Sequence, residues 1–225
     1  LGTSWQERQS LRKEKGSQPT RLSLNEWIEA CRAARRSGEI VLVVPHLFAG
    51  HARKGDIEEQ LRRRCEQEAI RLLYMGVDLD ADSRWDLTLP DTVNELSILC
   101  EEGCIDVLLS GPPCSTWSKA RFQPNGPRPV RRRGAEAWGI RGLRPAERER
   151  VLEANTLLVN SLAMSESTRR AGGDFLLEHP ADPEQEPYPS IWALDETRGL
   201  LERAGARLLK FHQCMFGSPT PKPTW

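Results

Sequence analysis

Gly111-Pro112-Pro113 limits what this chain can fold into more than any other stretch. Consecutive prolines carry no amide hydrogen, so a strand inside a sheet cannot run through them. Just before them, Ile105–Ser110 is a short apolar run with β-branched residues, the pattern of a buried strand. Just after them stands Cys114, with Ser115, Thr116 and Ser118 around it. The sequence therefore predicts a strand that stops abruptly and presents a thiol on a stiff turn. Strand ends of this kind are where open α/β sheets bind ligands. Taken alone, a cysteine beside a proline turn is more simply a packed core thiol. The surrounding pattern is what favours chemistry.

That pattern is an alternation of short apolar runs and longer amphipathic ones. Ser23-x-x-Glu26 is a capping box that opens a helix to about Arg36, stopped by Ser37-Gly38. Glu39–Val44 reads as a buried strand broken by Pro45, and Ile57–Ala69 as a helix. Ile70–Val77 reads as a strand ending in Asp78-Leu79-Asp80, and Trp85-Asp86-Leu87 leads into a helix near Asp91–Glu102. Beyond the Cys114 turn, Pro124–Arg144 is a Pro/Gly/Arg-rich loop, too long to be idle in a compact domain. A long helix over Ala146–Arg170 follows, then a strand, Phe175–Leu177, ending in Glu178-His179-Pro180. A helix over Ser190–Arg203 and a last strand, Arg207–His212, complete the series. Such alternation predicts an α/β fold: a doubly wound, mainly parallel sheet with helices on both faces. Residues 1–20 are expected to be a flexible segment and 21–225 one domain. A chain that opens on Leu1 and closes on Trp225 is expected to be cut from something longer and incomplete at its C-terminus.

Composition narrows the class. With 38% hydrophobic and 28% charged residues, the 225-residue chain fits a soluble globular domain. No apolar run reaches membrane-spanning length and no signal-peptide pattern opens the chain, so no membrane partner is expected. Cysteines 31, 65, 100, 104, 114 and 214 lack a disulfide-framework spacing, which points to free thiols in a reducing, intracellular compartment. No Cys-x-x-Cys or His-x-x-x-His pair is present, so no metal site is expected. The formal net charge of zero hides a polarity. Lys119–Arg148 holds nine Lys and Arg against Glu136 and Glu147, a net of +7. Asp174–Glu196 holds seven acids and no Lys or Arg. The basic run begins just after Cys114, which favours a functional role over a merely solvated face.

Familiar loops fail on spacing. Gly50-His-Ala-Arg-Lys-Gly55 has the glycines of a phosphate loop, but Asp56 stands where lysine is needed. Cys114 and Arg121 are separated by six residues, one too many for a thiol-phosphatase cradle. The strand ends fit better. Phe48-Ala49-Gly50 allows close backbone approach, Asp78 can accept from a ribose diol, and Asp86 can face an adenine. Cys114 and Glu178 end later strands, so a nucleoside-containing cofactor beside a thiol and a carboxylate forms a coherent site.

Taken in order, Leu47-Phe48-Ala49-Gly50, Val77-Asp78, Asp86-Leu87, Gly111-Pro112-Pro113-Cys114-Ser115-x-x-Ser118 and Glu178-x-Pro180 resemble the cytosine-5 DNA methyltransferase family. Gln213-Cys214-x-Phe216-Gly217 with Lys222-Pro223-Thr224 is similar to the family's segment beyond the catalytic core, so the likeness covers residues 40–224. The resemblance implies S-adenosylmethionine as cofactor, held by Phe48, Ala49, Gly50, Asp78, Asp86 and Pro112. It implies a flipped cytosine of DNA as substrate, Cys114 as nucleophile and Glu178 at N3 of the base. It also implies a nuclear location in a eukaryote.

Ser118, Arg121, Arg128, Arg131, Arg132 and Arg133 are the residues expected on the nucleic-acid backbone. Ala52 stands at the family's second glycine and Glu-His-Pro at its Glu-Asn-Val. Arg207 and Lys222 are the nearest matches to its Arg-x-Arg. The target-recognition region has no counterpart, so a partner or a missing C-terminal region is expected to supply it. Methylation of RNA cytosine, or a nucleic-acid-binding relic without catalysis, stays open on the same residues.

Overall fold

A computed structural model describes residues 23–79, 84–216 and 222–225. The N-terminal segment 1–20, Asp80 and Gly217 lie outside them. The described chain begins with α1 (Leu24–Ser37), β1 (Val41–Leu47), α2 (Ile57–Gln67), β2 (Arg71–Val77), α3 (Pro90–Glu101) and β3 (Val107–Ser110). It continues with α4 (Pro145–Arg170), β4 (Asp174–Leu177), α5 (Asp195–Ala204), β5 (Phe211–His212) and β6 (Pro223–Thr224). The first four strands form one sheet in the order β2-β1-β3-β4, and every pairing in it is parallel. The chain thus leaves β1 toward β2 and returns past it to β3, the crossing of a doubly wound, Rossmann-like sheet.

Local chemistry sets the helix ends. Ser23 accepts from the Glu26 amide at 3.3 Å, its own amide donates to Glu26 at 2.7 Å, and Gly38 ends α1 at φ +70°. This is the capping box read from sequence. Asp56 caps α2 through the Glu59 amide. Pro145 occupies the first turn of α4, where its missing amide hydrogen costs nothing. Ser161, Ser165 and Thr168 are buried polar residues on the same helix. Each hydroxyl donates to a carbonyl one turn back (Leu157, Ser161 and Met164, at 2.8–2.9 Å), which lets the helix bury them.

The core lies in two parts. Trp27, Val43, Leu47, Met75, Leu99, Leu108 and Met164 belong to the larger, which packs α1, α3 and α4 on one face of the sheet. Trp117, Leu158, Leu177, Ile191, Trp192 and Leu200 belong to the smaller, between α4, α5 and the turn beyond Cys114.

Two expectations need correction. Pro45 does not break β1, which continues to Leu47 and pairs Pro45 with Met75 of β2. Backbone polar groups alternate in direction along a strand. Val43 directs its amide at the Asp106 carboxylate and its carbonyl at the Asp106 amide, on the β3 side. Pro45 therefore faces β3 as well. The rungs toward β2 fall on Leu42, Val44 and His46, and the missing amide interrupts none of them.

The second correction concerns Arg207–His212. Only Phe211–His212 is extended, and it pairs antiparallel with Pro223–Thr224 rather than joining the parallel sheet. Leu208 and Leu209 are consecutive and both exposed, at 39% and 68%, so the segment has no single buried face.

Candidate active site

The C-terminal ends of β1, β2 and β3 converge. The turn after β1 bends sharply, with Phe48 at φ +62° and Gly50 at φ +69°, a region that glycine enters freely and phenylalanine does not. Two hydrogen bonds hold this bend to the end of β2. The Phe48 amide donates to the Val77 carbonyl at 2.7 Å, and the Gly50 amide donates to Asp78 Oδ2 at 2.8 Å. The Gly111 amide donates to the Leu47 carbonyl at 3.3 Å, which fastens the end of β3 to the same place.

A cleft of about 170 Å³ opens between these ends, lined by Phe48, Asp78, Trp85, Asp86, Pro113 and Leu157 among others. Its walls mix apolar and aromatic side chains with carboxylates from the segment after β2, Asp78 and Asp86, and from α4, Glu153. Three of the residues expected at a cofactor, Phe48, Asp78 and Asp86, line it. Asp86 is only 2% exposed, and its Oδ1 accepts from both the amide and the hydroxyl of Thr88. Gly50 supports the cleft by its bond to Asp78. Ala49 is not among the lining residues, and Pro112 is buried, while its neighbour Pro113 forms part of the wall.

Cys114 follows on a tight turn, its carbonyl accepting from the Trp117 amide at 2.9 Å, and is half-buried. Burial pushes the Cys31 thiol up to about 12 and the Cys100 thiol to about 11, which leaves both inert. Glu178 ends β4 beside this turn. Its amide donates to the Ser110 carbonyl at 2.8 Å, and a side chain at Gly111 would sit 3.4 Å from its Oε2. Gln213 donates to Glu178 Oε1 at 3.2 Å and Lys222 Nζ lies 3.5 Å away. Residues 222–225 reach the site by pairing antiparallel with the stretch after Glu178. The His179 amide donates to the Trp225 carbonyl and the Trp225 amide to the His179 carbonyl, both at 3.1 Å.

The basic loop differs from expectation. Arg131, expected on phosphates, is fully buried. Its Nε donates to Thr116 Oγ1 at 3.0 Å, and its terminal nitrogens donate to Asn155 Oδ1 at 2.7 Å and to the Ala137 and Val151 carbonyls at 2.8 and 3.2 Å. Its guanidinium lies over the Trp117 ring, 4.0 Å from the centroid, and burial draws its pKa down to about 9. Arg133 makes a bidentate pair with Asp182 at 2.6 and 2.9 Å. Arg128 pairs with Glu147 at 2.9 Å, and Arg121 donates to the Ser115 and Arg128 carbonyls. Ser118 accepts from the Ala120 amide at 3.2 Å. Of the six residues expected on nucleic acid, Arg132 alone is both exposed and outside any ion pair among the described residues. A guanidinium that satisfies buried acceptors fixes the loop, so Arg131 is a structural staple.

His179 was not expected at the site either. It is 2% exposed, its ring stands edge-on to Trp117 with centroids 6.3 Å apart, and neither ring nitrogen has a hydrogen-bond partner. Burial, then the Lys222 and Arg131 cations, push its pKa down to about 3. Trp85, Gln213 and Lys222 complete the surroundings. The sequence signal for Lys222 was its place after a Pro-rich stretch that resembles a known motif. Trp85 gave none beyond being aromatic. Among the described residues no cluster of His, Cys, Asp and Glu is arranged to hold a metal ion, and no helix is long and apolar enough to cross a membrane. No family model, no curated protein and no solved structure matches this chain.

Arg131→Ala removes the donors to Thr116, Ala137 and Asn155 and leaves a cavity beside Trp117, so it should destabilise the domain by about 3–5 kcal/mol. Arg132→Ala should change stability by less than about 0.5 kcal/mol. Urea unfolding midpoints of the two variants check this directly.

His179 makes the fold sensitive to acid. Near neutral pH and above, folded and unfolded chains both hold the ring neutral. As pH falls from 6.5 toward about 3, the unfolded chain takes up a proton that the folded one refuses. Stability then drops by up to about 1.4 kcal/mol per pH unit. His179→Phe keeps a ring and loses no hydrogen bond. Between pH 6 and pH 4 it should therefore lose about 2 kcal/mol less than the parent, read from unfolding curves at each pH.

Proposed function

We propose that this domain transfers a methyl group to C5 of a cytosine extruded from DNA, using S-adenosylmethionine. One observation carries the reading. The cleft at the ends of β1 and β2 shares a wall, Pro113, with the turn that presents Cys114, and Glu178 lies against Gly111 of that turn. The thiol-bearing turn and the carboxylate thus lie beside a small cleft with acidic groups, at the end of one parallel sheet, though neither Cys114 nor Glu178 lines the cleft itself.

The cleft residues fit the nucleoside part of such a cofactor. Phe48, Trp85 and Leu87 offer flat apolar contact, and Asp78 and Asp86 suit hydroxyl and amino groups. At about 170 Å³ the cleft is smaller than the roughly 300–1,000 Å³ usual for whole ligands, so it suits one ring system. When bound, the cofactor supplies an electrophilic methyl group.

The chain's own residues would do the rest. C5 of cytosine is a weak nucleophile until a thiolate adds to C6. Cys114 Sγ gives its electron pair to C6, the π pair shifts toward C5 and, through C4, to N3, Glu178 gives N3 a proton that returns to it when the ring is restored, and C5 takes the methyl group. Loss of the C5 proton to a base restores the double bond and releases the thiolate. Gln213 and Lys222 hold the Glu178 side chain at the end of β4.

DNA carrying 5-fluorocytosine should trap a covalent adduct in the presence of the methyl donor, since fluorine cannot leave as a proton does. Cys114→Ala should abolish the adduct, while Cys65→Ala and Cys100→Ala should not. An adduct that persists in Cys114→Ala refutes the assignment. Asp78→Ala loses a charged hydrogen-bonding group at the cleft and should weaken S-adenosylmethionine about tenfold or more by calorimetry. Unchanged affinity would remove Asp78 from the site.

A further inference from the structure

Cys114 and Glu178 come from different strands, and one buried stack joins the segments that carry them. Trp117 is its centre. The Trp117 amide closes the Cys114 turn, the Arg131 guanidinium covers the ring face, and His179 and Trp138 meet it edge-on, each at 6.3 Å between centroids. Arg131 also grips Thr116 inside the same turn, at 3.0 Å. His179 directly follows Glu178 in the chain. The stack therefore touches the Cys114 turn through Thr116 and Trp117, and the Glu178 strand end through His179.

The chemistry of the stack is unusual for one that serves stability alone. Arg131 is fully buried, yet every hydrogen-bond acceptor on it is neutral: a hydroxyl, an amide oxygen and two backbone carbonyls. A buried cation without a counter-charge is costly, and an apolar side chain of the same volume is often as stable or more so. His179 likewise buries two ring nitrogens without partners. A guanidinium, however, fixes direction as well as distance, because its planar donors bind only in a set geometry. Here that geometry spans the Cys114 turn, the basic loop and α4, at Thr116, Ala137, Asn155 and Val151.

We infer that Arg131 and Trp117 are positioning residues that hold the Cys114 turn against the Glu178 strand end. The role rests on the methyl-transfer reading for its purpose, and on the stack's geometry for its existence. Cys114 is half-buried and held, whereas Cys214 is exposed. A thiol on a fixed turn reacts at a rate set by that turn, while a loosened one behaves as an exposed thiol.

The test compares Trp117→Phe, Arg131→Lys and Thr116→Val with the parent in the full chain. Iodoacetamide alkylation of Cys114 is followed by peptide mass, with Cys214 in the same sample as reference. Trp117→Phe and Arg131→Lys should bring the Cys114 rate to within about threefold of that of Cys214. Adduct formation with 5-fluorocytosine DNA should slow at least tenfold, while affinity for the same DNA is unchanged. Thr116→Val, which replaces one hydroxyl, should move both rates in the same direction and decides the matter if the larger changes do not fold.

Folded variants whose Cys114 alkylation matches the parent overturn the positioning role, whatever the adduct does. If alkylation shifts but even the parent forms no adduct, the positioning role stands and the methyl-transfer reading falls.

Discussion

The Arg131 guanidinium is the contact on which the upper half of this molecule depends. A loop of this length and composition, rich in proline, glycine and arginine, has too few apolar side chains to build a core of its own. It is fixed instead by sending one cation inward. Arg131 satisfies the hydroxyl of Thr116, the amide of Asn155 and two carbonyls, and gives Trp117 a flat surface to pack on. Without it the Thr116 hydroxyl and the Ala137 carbonyl would lose this buried bond, at about 1–3 kcal/mol apiece. The loop is ordered around this one buried cation, with Val130 and Ala137 buried as well.

The same logic accounts for the charge polarity of the chain. The basic loop and the acidic segment after β4 face each other. Arg133 forks onto Asp182, the Arg133 amide donates to the Pro187 carbonyl, and Phe122 and Lys119 both pack on Tyr188. Two oppositely charged runs far apart in sequence thus form one seam. A run of like charge invites an external partner in a sequence reading, but here one of its arginines, Arg133, finds its acid within the chain. Nucleic-acid contact through this face would rest on what the seam leaves outside, Arg132 foremost.

Legibility in the sequence followed the range of the physics. The α1 capping box, the glycine stop after it and the ends of β2 and β3 are set by neighbours or by strand order, and all were readable. Pro45 was misjudged because its effect depends on which neighbouring strand its missing amide faces. Arg131 was assigned to the surface because composition gives a cation's charge and not its direction. Arg207–His212 looked like a strand by content, but its consecutive leucines have no common face. The pairing of residues 222–225 with the stretch after Glu178 has no local signal at all, since it joins segments distant in sequence.

That last pairing bears on how the site is assembled. The parallel sheet is complete without residues 222–225, yet Lys222 reaches Glu178 only when they anneal beside His179 and Ala181. Closing such a long loop costs chain entropy, and what offsets it is a short ladder, one ion pair, and Trp225 packed on Trp192 with Lys210 over its ring. Local opening in proteins begins where few contacts hold the chain, well below the free energy of global unfolding. The carboxylate is thus held by a segment that is fastened outside the parallel sheet. Fraying of that segment would leave the sheet standing while Glu178 loses its lysine, so what orders the site is distinct from what holds the sheet.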